Sequence, residues 1–420
     1  MSERLQTTKG LYGFPLISGL VYRFTTFLVW LLMKFRWRGT LRGLDKLPKE
    51  EPFLLLPNHT SMLDPFWAGA LVPRGVRSMA SAGLLRIPVL GTYLRMCGCF
   101  PKMKYTKDRE SMQNLQRFYD QGYVILLFPE GNRSWNGETQ PIGEGIGRLI
   151  KRLGCKVVYA RINTAYLVRP RWAKYSRRVP VEIDYDGPYA YDEDASVAEI
   201  TADVQSKLTV VPPTELSAKV SGRKMAHGLN QYLWACPSCF EMESLKPQAR
   251  ERSKEGPQLQ EVAGDGIACS ACSASWVLDV YCMLHSNEEQ PMSVADAFRK
   301  IEANFGSPPV ADRSHYEASG EALVLEHAEV LLIPRKGKPQ PVAAGKLVLK
   351  QSGIEVHSSD PSEAWGLSWA EMRGISVEVG NKLHFRREDR LYRVQATGHS
   401  PLKLDHFFCH WSTASQKAGG

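Results

Sequence analysis

Hydrophobic and polar positions along this chain change period twice, and each change marks a different kind of structure. In the first half, short apolar runs alternate with segments of helical spacing. Residues 52–57, 76–80, 123–128, 156–162 and 179–185 read as strands. Residues 84–96, 108–121, 142–153 and 195–208 carry apolar positions three and four apart and read as helices. That rhythm implies an α/β structure around a mostly parallel sheet with flanking helices. Gly143, Gly145 and Gly147 lack nucleotide-loop spacing, and no strand runs directly into them, so they read as a helix start packed tightly on the sheet.

Over residues 210–223 the composition shifts to Pro, Ser and Lys, which marks a linker. The segment 294–317 reads as a helix followed by a loop. From about 321 to 395 the period drops to two, with short strands at 322–325, 329–333, 345–350, 353–356, 364–368, 375–379, 382–386 and 391–394, and an amphipathic stretch closes at 401–414. Short strands with a closing helix resemble a small all-β barrel of the pleckstrin-homology type. The implied organisation is a membrane-associated helical segment (1–36), a catalytic domain (37–210), a linker (211–230), a ribbon-like module (231–290), a connecting helix and loop (291–320) and the barrel (321–415).

Residues 11–35 are rich in Leu, Phe, Tyr, Val and Trp, and Lys34, Arg36, Arg38 and Arg42 form a basic collar at their end. A spanning helix needs about 20 apolar residues. Arg23 interrupts this run, and Gly13, Pro15 and Gly19 weaken its first half. The segment therefore reads as an interfacial helical hairpin or a tilted, half-embedded anchor in preference to a transmembrane span. No small-x-small cleavage site follows it, so no removable signal peptide is expected.

Composition narrows the classes further. With 43% hydrophobic and 23% charged residues over 420 positions, the chain is an ordinary folded protein of two or three domains. A net charge of +9 suits an acidic partner, either an anionic membrane or a nucleic acid. The basic collar favours the membrane, and neither Cys pair is flanked by the aromatic-basic surface that single strands stack on, so no nucleic acid is expected.

Candidate chemistry begins at Asn58-His59-Thr60-Ser61-Met62-Leu63-Asp64-Pro65, directly after the run 52–57. An imidazole held by a carboxylate can take a proton from a hydroxyl and remain stabilised as imidazolium. The spacing lets Asp64 reach back to His59 if the chain turns into a helix after the His. A second run, 123–127, leads into Phe128-Pro129-Glu130-Gly131-Asn132-Arg133-Ser134. This sets a carboxylate, a permissive glycine and a guanidinium at a sheet edge, where α/β folds bind ligands. Ser61 lies too close in sequence to His59 to act as its nucleophile, since helix neighbours two apart point away from each other.

Asn-His-x4-Asp followed by Phe-Pro-Glu-Gly-x-Arg-Ser resembles the glycerolipid acyltransferases, among them the 1-acylglycerol-3-phosphate acyltransferases. Gly98-Cys99-Phe100-Pro101-Lys102-Met103-Lys104 resembles a further segment of that family, with Lys104 where Arg is usual. The resemblance covers about residues 37–209. It implies transfer of a fatty acyl group from a thioester, coenzyme A or acyl carrier protein, to a free hydroxyl of a lysophosphatidic acid-like acceptor; the membrane's cytoplasmic face is expected because the paired Cys suit a reducing compartment. It also implies His59 as base with Asp64 orienting it, and Asn58, Lys104, Glu130, Gly131 and Arg133 on the substrate side. Backbone N–H groups near the turn would support the oxyanion. No catalytic metal is implied. Two alternatives stay open: another lysophospholipid or alcohol acceptor, and a vestigial catalytic unit in a membrane-binding adaptor.

Of nine Cys, four form the pairs Cys236-Pro-Ser-Cys239 and Cys269-Ser-Ala-Cys272 on either side of a charged insert. Two Cys-x2-Cys knuckles resemble a zinc ribbon, in which four thiolates surround a structural Zn²⁺ in a reducing compartment. Cys282 and His285 read as bystanders.

Overall fold

The computed structural model describes residues 15–102, 108–248, 263–287, 289–334, 337–358, 364–378 and 382–418. They fall into two units, one drawn from Met1–Met225 with Val280–Cys282 and the other from Ala226–Asp279 with Met283–Gly420.

In the first unit the order is α1 (Pro15–Trp37), β1 (Thr40–Arg42), β2 (Leu54–Pro57), α2 (Asp64–Ala68), β3 (Val76–Ser81), α3 (Leu90–Met96), β4 (Phe100–Lys102), α4 (Arg109–Asp120), β5 (Val124–Leu126), α5 (Gly145–Leu153), β6 (Val157–Ile162), α6 (Ala165–Val168), β7 (Glu182–Tyr189) and α7 (Val197–Leu208). The strands form one seven-stranded sheet, β1-β7-β6-β2-β5-β3-β4. Every neighbouring pair runs parallel except β6 and β7. Alternation along the strands splits the core in two. Leu54, Leu56, Ile125, Val157 and Tyr159 pack under Leu115 and Phe118 of α4, Leu149 and Ile150 of α5, and Ile200, Val204 and Leu208 of α7. On the opposite face Tyr185, paired with Ala160, donates from its hydroxyl to Ala68 O of α2 at 2.8 Å. Side-chain caps set two helix starts: Asp108 accepts from Ser111 N, and Ser196 and Glu199 close a capping box.

Three local expectations are corrected. The helix expected at 84–96 is broken, because Pro88 drives Ile87 into an extended conformation (φ −66°, ψ 123°) and α3 starts only at Leu90. Gly147 packs on α7 and not on the sheet, since a Cβ there would stand 2.5 Å from Val197 O and Thr201 Oγ1. Finally, over its described part the N-terminal segment is one continuous helix, α1, with no hairpin; residues 11–14 lie outside the described ones.

The second unit begins with a five-stranded antiparallel sheet of β8 (Leu245–Gln248), β9 (Gly264–Cys269), β10 (Ser275–Asp279), β11 (Met283–His285) and β12 (Met292–Ser293). Helix α8 (Val294–Phe305) follows, and what reads as a loop after it contains a further helix, α9 (Arg313–Ser319). Seven antiparallel strands then form a curled sheet: β13 (Glu321–Ile333), β14 (Gln340–Lys350), β15 (Gly353–His357), β16 (Trp365–Ser368), β17 (Arg373–Glu378), β18 (Lys382–Arg387) and β19 (Arg390–Ala396), in the order β16-β15-β14-β13-β19-β18-β17. The first two expected strands merge into β13 across a register shift between Leu325 and Ala328, where His327 takes φ 54°. Helix α10 (Pro401–Ala418) closes the chain, with Phe407 and Phe408 fully buried.

Candidate active site

Strands β2 and β5 are parallel neighbours, Leu54 opposite Ile125 and Leu55 opposite Leu126. The segments that leave their C-terminal ends, starting at Asn58 and at Leu127, therefore emerge side by side on one sheet edge. His59 stacks on Phe128, with ring centroids 3.9 Å apart and planes 22° from parallel. Its Nδ1 lies 3.0 Å from Asp64 Oδ2. The helix expected after His59 starts only at Asp64. The Asp reaches back because residues 60–63 form a turn whose Thr60 and Ser61 amides both donate to Oδ2 at 2.7 Å.

The second segment grips the first through its backbone. Glu130 accepts from His59 N through Oε1 (2.5 Å) and from Gln140 N through Oε2 (2.8 Å), while Ser134 N donates to His59 O at 2.8 Å. Both faces of the His59 peptide are thus tied to the loop after β5. Asn58 is fully buried: its Oδ1 accepts from Ile162 N at 2.7 Å and its Nδ2 donates to Ile162 O at 3.3 Å, which prolongs the β2–β6 pairing. Gly131 is exposed at φ 72°, a left-handed turn that glycine makes without strain.

Charge concentrates at the same edge. Burial pushes the Asp64 carboxyl up from 3.8 to about 7, against the pull of the Ser61 and Thr60 amides and of Arg133. Burial likewise pushes Glu130 up to about 8, opposed by its two amide donors. The Arg133 guanidinium is lowered by burial, raised by Asp64 and lowered by Arg169, so a carboxylate and a second cation both lie within its electrostatic reach. Arg171 fixes the main chain at this point: Nη1 donates to Arg133 O at 2.8 Å, and its guanidinium sits 4.2 Å over the Trp135 ring.

Residues 38–162 match a family model described as Acyltransferase. The 1-acyl-sn-glycerol-3-phosphate acyltransferase of Saccharomyces cerevisiae is 28% identical over 142 residues, which is 32% of this chain and 46% of that protein. The chloroplastic 1-acyl-sn-glycerol-3-phosphate acyltransferase BAT2 of Brassica napus is 29% identical over 126 residues, 29% of this chain and 36% of that one. Residues 38–162 thus form an acyltransferase domain similar to the glycerolipid acyltransferases. The chain spans less than half the length of these two curated relatives. A crystal structure of the LPA acyltransferase PlsC from Thermotoga maritima aligns at 20% identity and a TM-score of 0.36, covering 49% of this chain and 92% of that one.

Within this acyltransferase domain, His59, Asp64, Glu130, Gly131 and Arg133 come together, Asn58 lies in the sheet, and Lys104 falls outside the described residues. Reading the sequence alone missed Ser134 and Gln140 as backbone partners, Phe128 as the stacking plane, and the pair Arg169 and Arg171. The Arg-Pro-Arg run directly after α6, the short helix that follows β6, was the available signal, since β6 ends on the same edge as β2. The amides of His59, Thr60, Ser61 and Ser134 are all engaged within the protein, which withdraws them from the oxyanion role expected of amides near the turn.

The four paired cysteines also meet in space. Sγ atoms of Cys236 and Cys272 are 3.8 Å apart, those of Cys239 and Cys269 are 3.7 Å apart, and all four lie within 4.8 Å of one another. Sulfurs about 2.3 Å from a tetrahedral centre stand about 3.8 Å apart, far beyond the ~2.05 Å of a disulfide. The two knuckles repeat one geometry. Ser238 N donates to Cys236 Sγ and Ala271 N to Cys269 Sγ, and the residue after each second Cys, Phe240 and Ser273, has φ 62°. These four Cys can hold a structural metal. His285 turns instead to Asp279 at 2.9 Å, and Cys282 meets Arg177 at 3.0 Å.

Proposed function

We propose that this chain is a membrane-surface O-acyltransferase. It moves a fatty acyl group from an acyl thioester, coenzyme A or acyl carrier protein, to the free hydroxyl of a lysophosphatidic acid-like acceptor, giving phosphatidic acid. The observation that carries this reading is His59 Nδ1 on a buried carboxylate with Arg133 within its electrostatic reach. With Nδ1 turned to Asp64, proton transfer falls to Nε2. As the acceptor oxygen attacks the thioester carbonyl, His59 takes its proton. The new C–O bond then replaces the C–S bond, and the proton passes to the departing thiolate. Asp64 holds the tautomer and stabilises the imidazolium. Arg133 offers a planar fork to the acceptor phosphate, with Arg169 as a second cation. Glu130 acts as a positioning residue for the His59 peptide.

Helix α1 supports the membrane surface as the workplace. Its protein-facing side carries Tyr22, Thr25 and Thr26, all buried, while Leu20, Phe24, Phe27, Leu28, Leu32 and Phe35 point outward, Phe24 65% and Phe35 79% exposed. The most apolar stripe thus faces away from the core, the reverse of a helix in water. Among the described residues no helix is long and apolar enough to cross a membrane. A Zn²⁺ held by Cys236, Cys239, Cys269 and Cys272 completes the reading as a structural metal, with all four positions filled by protein.

The acceptor role of Arg133 is tested by steady-state kinetics with lysophosphatidic acid and acyl-CoA. Arg133→Ala should lower kcat/KM for the acceptor by about 10–100-fold, from loss of charge-assisted hydrogen bonds of about 1.5–3 kcal/mol, and leave KM for acyl-CoA nearly unchanged. Equal losses for both substrates would contradict a phosphate role.

Asp64 makes a pH prediction with a definite sign. The dyad should titrate as a unit, with kcat/KM rising through neutral pH as the pair sheds its proton. The raised folded-state value of about 7 has the opposite effect on stability. Between about 4 and 7 the native state binds the extra proton, so stability is full at low pH and falls as pH rises through that window. Asp64→Asn should therefore lose about 10²–10⁴ in kcat/KM yet show a flatter urea-stability profile between about pH 4 and 7. A variant that loses activity but keeps the parent's stability slope would remove Asp64 as the source of that slope.

A further inference from the structure

Val89, 84% exposed, is the most exposed large apolar side chain among the described residues. It is also strained. At φ 63°, ψ −59°, with Leu90 N donating to Pro88 O at 2.7 Å, it heads a γ-turn of the rare, unfavourable hand, and its side chain is β-branched. Ile87 and Leu90 beside it are exposed as well. A water-facing turn of this shape suits Gly or Asn far better. Here Val89 occupies its centre, with Leu90 completing the turn and Ile87 just before it.

The tip adjoins the outward stripe of α1. Thr25 Oγ1 and the Tyr93 hydroxyl are 2.7 Å apart, and a cavity of about 480 Å³ between the two helices is lined by Leu20, Phe24 and Leu28 on one side and Tyr93 on the other. Charge runs the same way. No Asp or Glu occurs from residue 4 to residue 44, or from residue 65 to residue 107, while Arg86 and Arg95 flank the tip. An apolar, strictly basic surface of this kind complements an anionic bilayer, in which burial of the apolar side chains and attraction of the guanidinium groups add.

We propose that residues 87–90 are a second membrane-insertion point: Ile87, Val89 and Leu90 enter the acyl-chain boundary beside α1, with Arg86 and Arg95 at headgroup level. The inference rests on the bilayer reading of α1. A single helix lying in the interface leaves the protein free to roll about the helix axis. A contact off that axis stops the roll and sets the angle at which the sheet edge meets the lipid.

The test uses the full chain and vesicles of phosphatidylcholine with phosphatidylglycerol. The triple variant Ile87→Ser, Val89→Gly, Leu90→Ser alters only exposed side chains. It should partition to vesicles at least about tenfold more weakly than the parent. Hydrogen exchange of the amides of Ile87 and residues 89–91 in the parent should slow when vesicles are added. Unchanged partition of the triple variant, or unprotected amides in vesicle-bound parent, overturns the proposal and points to a protein partner for the tip. Loss of binding in Phe24→Ser, Phe35→Ser alongside a fully binding triple variant sinks the tip and leaves the α1 reading intact. A parent chain that ignores vesicles sinks both.

Discussion

His59→Ala should lower kcat/KM for acyl transfer by about 10²–10⁴, or roughly 3–5 kcal/mol of transition-state stabilisation, with the fold intact. The imidazole is the group at this edge that combines a near-neutral proton affinity with a fixed ring. Phe128 sets its plane, Asp64 sets its tautomer, and the His59 peptide is held on both sides by Glu130 and Ser134. Those backbone bonds survive truncation of the side chain, so the Ala variant should keep the parent's circular dichroism and melting behaviour within a few degrees. Kinetics with lysophosphatidic acid and acyl-CoA decide the matter. Activity within about tenfold of the parent would remove His59 from the chemistry, whatever the family match.

Removal of the four-Cys metal should have the largest effect on stability. Purified protein should contain one zinc per chain, and the Cys236→Ser, Cys239→Ser double variant should lose it. Structural zinc contributes about 10–16 kcal/mol of apparent binding free energy at neutral pH, and in small modules that is folding free energy. Two strands depend on this anchor: β9 ends on Cys269, and β8 starts a few residues after Cys239, paired with β9 from Leu245 opposite Cys269. Without the metal, four thiols crowd within 4.8 Å with nothing to share. Elemental analysis and melting before and after chelation provide the check. Zinc loss with an unchanged melt would remove the structural role, and a metal-free native protein would remove the site.

What could be read from the residues follows from how local the signals are. Strand β2 with its His-x4-Asp, strand β5 with its Pro-Glu-Gly-x-Arg, and the two Cys-x2-Cys knuckles are each a short segment whose chemistry and spacing stand together in the chain. Glu130 shows the limit. Its carboxylate could orient a base, bind substrate or accept from any amide, and only the parallel pairing of β2 with β5 brings His59 N and Gln140 N to its two oxygens. Arg171 is similar, because its target is a backbone carbonyl, which no sequence pattern marks.

Sequence alone thus determined the layer type of the first unit, the two motif-bearing strands and the cysteine ligand set, since hydrophobic period and residue chemistry are properties of neighbouring positions. Tertiary structure decided which edge gathers the charged groups, which amides are already engaged, and which way α1 turns its apolar stripe. Those depend on strand pairing and on what lies across each face. The same period of 3.6 that reads as a buried stripe can face either way, and only the buried Tyr22, Thr25 and Thr26 on the opposite side show that in α1 it faces outward.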